Sequence, residues 1–244
     1  MESERDVTTR ISERQMRLWN ALHPKEREKR SPHRFLTISR DEGTLGNEIA
    51  QVLAQRLGWR LYDKEIVNKI ANNSHVREEM VRRLDERSEG TNDTFLDTVL
   101  HLLRIPDTSS FGTEDYHESL LRTLAAIAAQ GDAILVGRGA NFALQGSEHG
   151  FHVRIAGSPE VRAQRLGARW QVTPEKARRC MQAIDAERRA FIHHHFRQDF
   201  DDIHFYTVAF NTDHLSVRQV VTSILSLLNP EVSSVQAGLA RNLA

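Results

Sequence analysis

The chain has 244 residues, 39% of them hydrophobic, which is enough to bury a full core in one large domain or in a domain with a small insert. Its 33 basic residues balance its 33 acidic residues, which argues against a general attraction to nucleic acid or to a membrane surface. A single cysteine, no apolar run as long as a membrane span and a charged first stretch argue against a disulfide, a transmembrane helix and a secretory signal. We therefore expect a cytoplasmic protein.

Residues 1–33 are predicted to form a helical extension. They are rich in Arg, Glu and Lys, yet Ile11, Leu18 and Leu22 fall on one face of a helix. This apolar face predicts packing against the body of the protein or against a sister subunit, so a homodimer through this helix is one expectation. At the other end of the chain, residues 229–244 are predicted to be a loose tail.

Strands and helices alternate in the first half of the region 34–228. The run RFLTIS predicts a buried strand, and the helix predicted at about 46–57 carries a core-facing apolar stripe. A short strand near 59–61 leads to Asp63, which is typical of a helix N-cap. Residues 64–130 are predicted to be mainly helical.

The second half of the chain continues the alternation. DAILV and FHVRIAG predict two further strands, and Ser158 with Pro159 predicts the start of an arginine-rich helical region. FYTVAFNT predicts a last strand before a closing amphipathic helix. This order predicts an α/β fold of three layers, with a mostly parallel five-stranded sheet between helices. Ligands of such folds bind at the carboxyl ends of the strands.

The loop after the first strand has the layout of a phosphate-binding loop. Small residues at Gly43, Thr44 and Gly46 let successive backbone N–H groups turn towards an anion at a helix N-terminus. The sequence does not match the Walker pattern, because Asn47 stands where a lysine would follow the second glycine. From spacing alone, a tight turn without a ligand is therefore an alternative to a nucleotide site.

Five stretches, in order, resemble the cytidylate kinase-like proteins, a branch of the P-loop nucleoside monophosphate kinases. They are ISRDEGTLGNEIAQVLAQRLGWRLYDKEIV, AILVGRGANFAL, VRIAGSPEVRAQRL, IDAERRAFI and FYTVAFNTDHLS, and the likeness covers residues 34–228. The resemblance implies a P-loop kinase-type fold with a helical acceptor-binding segment at 64–130 and an arginine-rich lid at 158–200. It also implies phosphoryl transfer from ATP, with Mg²⁺, to a nucleoside monophosphate, commonly CMP.

The resemblance assigns the loop to the phosphates of ATP, and the positive charge that Asn47 lacks can come from Arg40 or from an arginine of the lid. The predicted ATP-phosphate site contains Arg40, Gly43, Thr44, Leu45, Gly46 and Asn47. The predicted acceptor site contains Asp63, Arg138, Asp185 and Arg188, and catalysis is assigned to Arg162, Arg165 and Arg188. Mg²⁺ is assigned to Thr44, with Asp41 and Glu48 as alternative oxygen ligands.

The chain departs from the family pattern at three positions. This chain has Leu45 where relatives have glycine, Asn47 where they have arginine, and Gly139 where they have aspartate. An asparagine cannot neutralise phosphate charge, and loss of a charge-stabilising arginine can slow phosphoryl transfer by a factor of about 10³ to 10⁵. Three functions therefore stay open: a kinase, a nucleotide-binding or regulatory protein without turnover, and a structural partner protein whose loop binds nothing.

Overall fold

The structure is a computed structural model, and it describes residues 33–72 and 113–228. The N-terminal extension up to residue 32, much of the acceptor-binding segment and the tail from residue 229 lie outside the described residues. The expectations for these segments, including the homodimer, therefore stay predictions. Within the described ranges, no helix combines the length and the hydropathy that a membrane span requires.

Five strands form one sheet in the order β2-β3-β1-β4-β5, and every neighbouring pair is parallel. The strands are β1 (Phe35–Arg40), β2 (Arg60–Tyr62), β3 (Ala133–Val136), β4 (Gly150–Ala156) and β5 (Val208–Asn211). β3 is a continuous apolar run, whereas β1 and β4 also bury polar side chains, and all three strands are covered on both faces. The predicted α/β fold with a five-stranded sheet is confirmed.

Helices cover both faces of the sheet. The described helices are α1 (Gly46–Leu57), α2 (Lys64–Ala71), α3 (Thr113–Gln130), α4 (Ala140–Ala143), α5 (Pro159–Trp170), α6 (Pro174–Phe196) and α7 (Val217–Leu228), with a short 3₁₀ helix at Ile203–Phe205. Ile38 packs in one core cluster with Leu53 of α1 and Ile224 of α7. Phe35 packs in a second cluster with Leu124 of α3. The predicted three-layer arrangement is therefore confirmed.

Two sequence signals for helix starts are confirmed close to the carboxyl edge of the sheet. Oδ1 of Asp63 accepts the N–H groups of Glu65 and Ile66, each at 2.9 Å, and caps α2. Ser158 is the N-cap of α5, and Pro159 occupies the first turn. These caps satisfy N–H groups that have no partner within their helices.

The central strand β1 carries the glycine loop to a switch in strand order. Its neighbours are β3 on one side and β4 on the other, and such a point is where α/β folds bind ligands. The N–H of Gly137 donates to the carbonyl of Ile38 at 3.1 Å, and the N–H of Asp41 donates to the carbonyl of Ile155 at 3.2 Å. These bonds extend the sheet to its edge, so the loop after β1 and the glycines after β3 lie side by side.

Candidate functional site

The loop between β1 and α1 presents a row of backbone N–H groups without acceptors. Residues Gly43 to Glu48 supply six consecutive N–H groups, and none donates a hydrogen bond to a residue that the structure describes. The next amide, that of Ile49, donates to the carbonyl of Leu45 at 2.9 Å. Unpaired amides at a helix N-terminus carry the positive end of the helix dipole and attract anions.

Two residues with positive φ shape this row. Gly43 has φ +83° and Leu45 has φ +61°, whereas Thr44 between them is not among the residues with positive φ. Alternation of this kind turns neighbouring N–H groups towards one side and forms an anion-binding nest. Glycine is needed at position 43, because a Cβ there would lie 2.9 Å from Cδ1 of Leu166. Leu45 is accommodated at a cost of about 1–2 kcal/mol, the penalty of a left-handed conformation.

A buried ion pair holds the start of the loop. Asp185 of α6 accepts the N–H of Glu42 at 2.8 Å and pairs with Nη1 of Arg162 at 2.5 Å. Arg162 also donates to the carbonyl of Glu42 at 3.1 Å. The side chains of Arg162 and Asp185 are only 8% and 5% exposed, so each charge needs the other. The catalytic role of Arg162 and the acceptor role of Asp185 stay predictions, and both side chains are placed to support the loop.

A pocket of about 320 Å³ opens beside the loop, between α1, the start of α2, the end of β3 and α6. Five of the predicted site residues line it: Arg40, Asn47, Asp63, Arg138 and Arg188. Its apolar wall is formed by Ala50, Leu61, Val136, Ile184, Phe191, Ile192 and Phe200. The other predicted residues, which include the loop residues 43–46, Arg162, Arg165 and Asp185, do not line this pocket. The pocket thus unites most of the predicted acceptor site with two residues predicted to bind ATP.

Arg40 is the last residue of β1, and its side chain is confined by two glycines. A Cβ on Gly46 would lie 2.7 Å from Cβ of Arg40, and a Cβ on Gly137 would lie 2.5 Å from Nη1. The Nε group donates to Oδ1 of Asn47 at 3.2 Å. Among the described residues, no carboxylate pairs with the guanidinium and no acceptor binds its Nη groups. Burial, followed by the charge of nearby Arg188, lowers the pKa of Arg40 to about 10.

Arg138 is the second arginine of the pocket without a carboxylate partner among the described residues. Its guanidinium lies 4.7 Å from the centroid of the Phe191 ring, which is a cation–π contact. Its buried Nε has no hydrogen-bond acceptor among the described residues. A buried cation is normally paired, so this side chain is suited to an anionic ligand.

Arg188 is occupied by protein groups. It pairs with the carboxylate of Glu42, donates to the carbonyl of Arg40 at 3.1 Å, and lies 3.6 Å from Asp185. Arg165, the remaining arginine of the predicted catalytic set, donates to the hydroxyl of Thr212 at 3.2 Å and also to its carbonyl. The roles predicted for both arginines in catalysis stay predictions.

The hydroxyl of Thr44, the predicted magnesium ligand, faces its own loop. It donates to the carbonyl of Asp41 at 2.8 Å, and the residue is 0% exposed. The carboxylate of Asp41 is itself paired with Arg154 at 2.6 Å. Within the described ranges, no group of three or more His, Cys, Asp or Glu side chains is arranged to hold a metal. Binding of Mg²⁺ by Thr44 stays a prediction, and this geometry gives it no support.

Several residues around the loop were not identified from the sequence. Phe191 lines the pocket one helical turn after Arg188, so the spacing of three along α6 was an available signal. Gln51 lines it one turn after Asn47 for the same geometric reason. Arg154 joins the loop to a distant segment by contacting Asp201 at 2.9 Å, and nothing in the local sequence indicates that partner.

Two solved bacterial structures match the chain at low sequence identity. An uncharacterized protein from Eubacterium ventriosum matches with a TM-score of 0.54 and 15% identity, over 80% of this chain and 97% of that chain. Shikimate kinase from Bacteroides thetaiotaomicron matches with a TM-score of 0.42 and 15% identity, also over 80% of this chain and 97% of that chain. The first likeness shows a shared fold only. No curated protein matches the chain.

Residues 35–214 match the cytidylate kinase-like family, and this range contains the loop, the pocket and all five strands. The match supports nucleotide kinase activity in general and does not identify the phosphate acceptor. The resemblance noted in the sequence is thereby confirmed, and the chain belongs to the cytidylate kinase-like family.

Proposed function

We propose that this protein transfers the γ-phosphoryl group of ATP to a nucleoside monophosphate of the CMP or dCMP type, or to a related small acceptor. The observation that carries the proposal is the row of six N–H groups from Gly43 to Glu48, which has no acceptor among the described residues. Such a row at a helix N-terminus binds phosphate oxygens without a side-chain cation.

The pocket beside the loop suits a phosphorylated acceptor. Arg40 and Arg138 offer guanidinium groups without a carboxylate partner among the described residues, and an arginine fork bonds two phosphate oxygens at once. Phe191 and the aliphatic side chains supply an apolar wall against which a base can pack. A volume of about 320 Å³ falls within the range of small-molecule sites.

The reaction needs positioning more than covalent chemistry. An oxygen of the acceptor phosphate forms a bond to the γ-phosphorus, the bond from that phosphorus to the β–γ bridging oxygen breaks, and ADP leaves. The loop amides orient the ATP phosphates, and the pocket arginines hold the acceptor in line and offset the charge on the transferred group. Mg²⁺ enters as part of the ATP co-substrate and neutralises charge on its phosphates.

Binding without turnover is the second candidate, and two observations favour it. Asn47 occupies the position where relatives carry a cation, and it is engaged with Arg40. Arg188, the only arginine assigned to both acceptor binding and catalysis, is ion-paired with Glu42. A protein with this site can retain a nucleotide while lacking a cation at position 47 and an unpaired Arg188 to accelerate transfer.

Isotopically labelled ATP, incubated with the protein, Mg²⁺ and a panel of nucleoside monophosphates, tests the proposal. We expect label on CMP or dCMP above the level without acceptor. Calorimetric titration with ATP and CMP separates the alternatives: binding without labelled product supports the regulatory candidate. No binding of either nucleotide would overturn both.

A further inference from the structure

We infer that Asn47 is a positioning residue: its side-chain carbonyl fixes the guanidinium of Arg40 between the loop and the pocket, where that cation takes the place of the P-loop lysine. This inference rests on the proposed function, because it concerns how the same site binds phosphate. It accounts for a polar, uncharged residue at the position where a P-loop lysine would stand.

The path of the Arg40 side chain carries the first step of the argument. Its stem passes Gly46 at the start of α1, and its Nη1 reaches the space beside Gly137 after β3. The guanidinium therefore lies between the loop with free amides and the strand end that presents Arg138. In the proposed complex, a cation at this point lies between the ATP phosphates bound by the loop and the acceptor phosphate bound in the pocket.

The hydrogen-bond pattern of Arg40 carries the second step. An arginine has five N–H donors, and in Arg40 only Nε has an acceptor among the described residues, which is Oδ1 of Asn47 at 3.2 Å. The Nη edge is therefore left for a ligand. Held by one hydrogen bond at Nε, the planar group cannot rotate freely about its long axis, and its remaining donors keep one direction.

The surrounding charges carry the third step. Arg154, Arg162 and Arg188 are each paired with a carboxylate, whereas Arg40 has no such partner among the described residues. The positive charges of Arg138 and Arg188 act on Arg40 and oppose its own, while the negative charges of Glu42 and Asp63 act in the other direction without forming an ion pair with it. Because Arg188 is paired with Glu42, a bound anion is stabilised mainly by Arg40 and Arg138, which have no carboxylate partner among the described residues.

The same geometry explains the choice of asparagine. A lysine or arginine at position 47 would place a further positive charge against Arg40, and an aspartate would neutralise it by forming an ion pair. The side-chain carbonyl of asparagine orients the guanidinium and leaves its full charge for the ligand. Asn47 is exposed, so the packing of the core does not determine which side chain stands at this position.

A double-mutant cycle on the full chain tests the inference, with CMP and ATP affinity measured by calorimetry. The variants are Asn47→Ala, Arg40→Met and the two combined; Met keeps the stem beside Gly46 and removes the guanidinium. Gln55→Ala, an exposed amide on the same helix outside the pocket, is the matched control. Urea unfolding of each variant verifies that it is folded.

We expect Asn47→Ala to weaken CMP binding by about tenfold in the wild-type background, the value of a hydrogen bond to a charged group. In the Arg40→Met background the same change has less than about a twofold effect, because the group that Asn47 positions is gone. Gln55→Ala leaves affinity unchanged. Equal losses in both backgrounds mean that Asn47 contacts the ligand itself, and no loss in either means that it has no role; each result overturns the inference while the proposed function stands. If wild-type protein binds neither nucleotide, the proposed function fails as well.

Discussion

Substitution of Gly137 by alanine displaces Arg40 with little damage to the rest of the protein. The added Cβ would lie 2.5 Å from Nη1 of Arg40, and among the described residues, apart from the chain neighbours of Gly137, the one other atom within 4 Å is Cζ of the same side chain, at 3.7 Å. An ordinary contact is about 3.5 Å, so the guanidinium must retreat by about 1 Å. Because the end of a flexible side chain can move, the clash is relieved without a shift of the backbone.

The structure also predicts how much stability and how much activity Gly137→Ala loses. Gly137 has φ +79°, so alanine there costs about 1–2 kcal/mol of unfolding free energy through backbone strain. A displacement of about 1 Å in a group that aligns substrates can lower the rate by a factor of about 100. We therefore expect kcat/KM for CMP to fall by about two orders of magnitude while the protein stays folded.

Gly146 provides the matched control. It has φ +84°, and a Cβ built on it meets no atom within 4 Å in the part of the chain that the structure describes, its chain neighbours aside, so Gly146→Ala imposes the same strain without touching Arg40. Urea unfolding should give the two variants similar losses of stability, and the labelled-ATP assay should show a loss of activity for Gly137→Ala alone. Equal activity in the two variants would refute the assignment of Gly137 as the space for Arg40.

Three further predictions concern the loop and the sheet. Asp185→Asn leaves the buried guanidinium of Arg162 without its charge partner, so urea unfolding should show a loss of about 3 kcal/mol. Glu42→Gln removes the carboxylate that competes with the acceptor phosphate for Arg188, so calorimetry should show CMP affinity raised by about three- to tenfold. Burial lowers the pKa of His152 to about 4 from 6.5, so the unfolded state binds the proton more readily, and stability should fall by up to about 3 kcal/mol as pH falls from about 6.5 to about 4.

Each of these predictions has a contrasting variant or result. Glu160 pairs with Arg178 at the surface, so Glu160→Gln should leave stability nearly unchanged, and an equally small effect of Asp185→Asn would contradict the supporting role of the buried pair. If Glu42→Gln weakened CMP binding, the carboxylate would itself contribute to the acceptor site, which contradicts this prediction. If a His152→Gln variant lost as much stability at low pH as the wild type does, groups other than His152 would be responsible for that loss.

The fold could be predicted from the sequence because its signals are local. Buried parallel strands appear as apolar runs, and the cap at Asp63 and the glycines at the strand ends are features of a few neighbouring residues. The five predicted strands agree with the five strands of the sheet because the hydrophobic pattern and the turn residues determine where each element begins and ends.

The sequence could not show which arginines form ion pairs and which are available to a ligand, because the pairing depends on residues that are distant in sequence. Arg162 and Arg188 both lie in arginine-rich helices, and only the folded chain shows that Asp185 and Glu42 engage them. Arg40 is the opposite case, since no carboxylate reaches it within the described ranges. Sequence identifies residue types suited to phosphate, whereas pairing decides which of them are available.

The second role of two glycines could not be predicted from the sequence either. Their pattern indicates a loop that exposes its amides, which holds for Gly43 with its positive φ. Gly46 and Gly137 serve a second purpose, because each leaves room for one part of the Arg40 side chain. The contact between Arg40 and Gly137 spans about a hundred residues of chain, so spacing rules for phosphate-binding loops do not include it.

The most direct test of the central claim is an NMR titration of ¹⁵N-labelled protein with Mg²⁺-ADP and with pyrophosphate. The claim is that the N–H groups from Gly43 to Glu48 bind phosphate oxygens without a lysine. We predict that these six amide resonances shift together and saturate at one dissociation constant, and that the shifts vanish when sodium chloride replaces the phosphate ligand. Resonances of residues 43–48 that stay unchanged, while ligand binds elsewhere or not at all, would contradict the account.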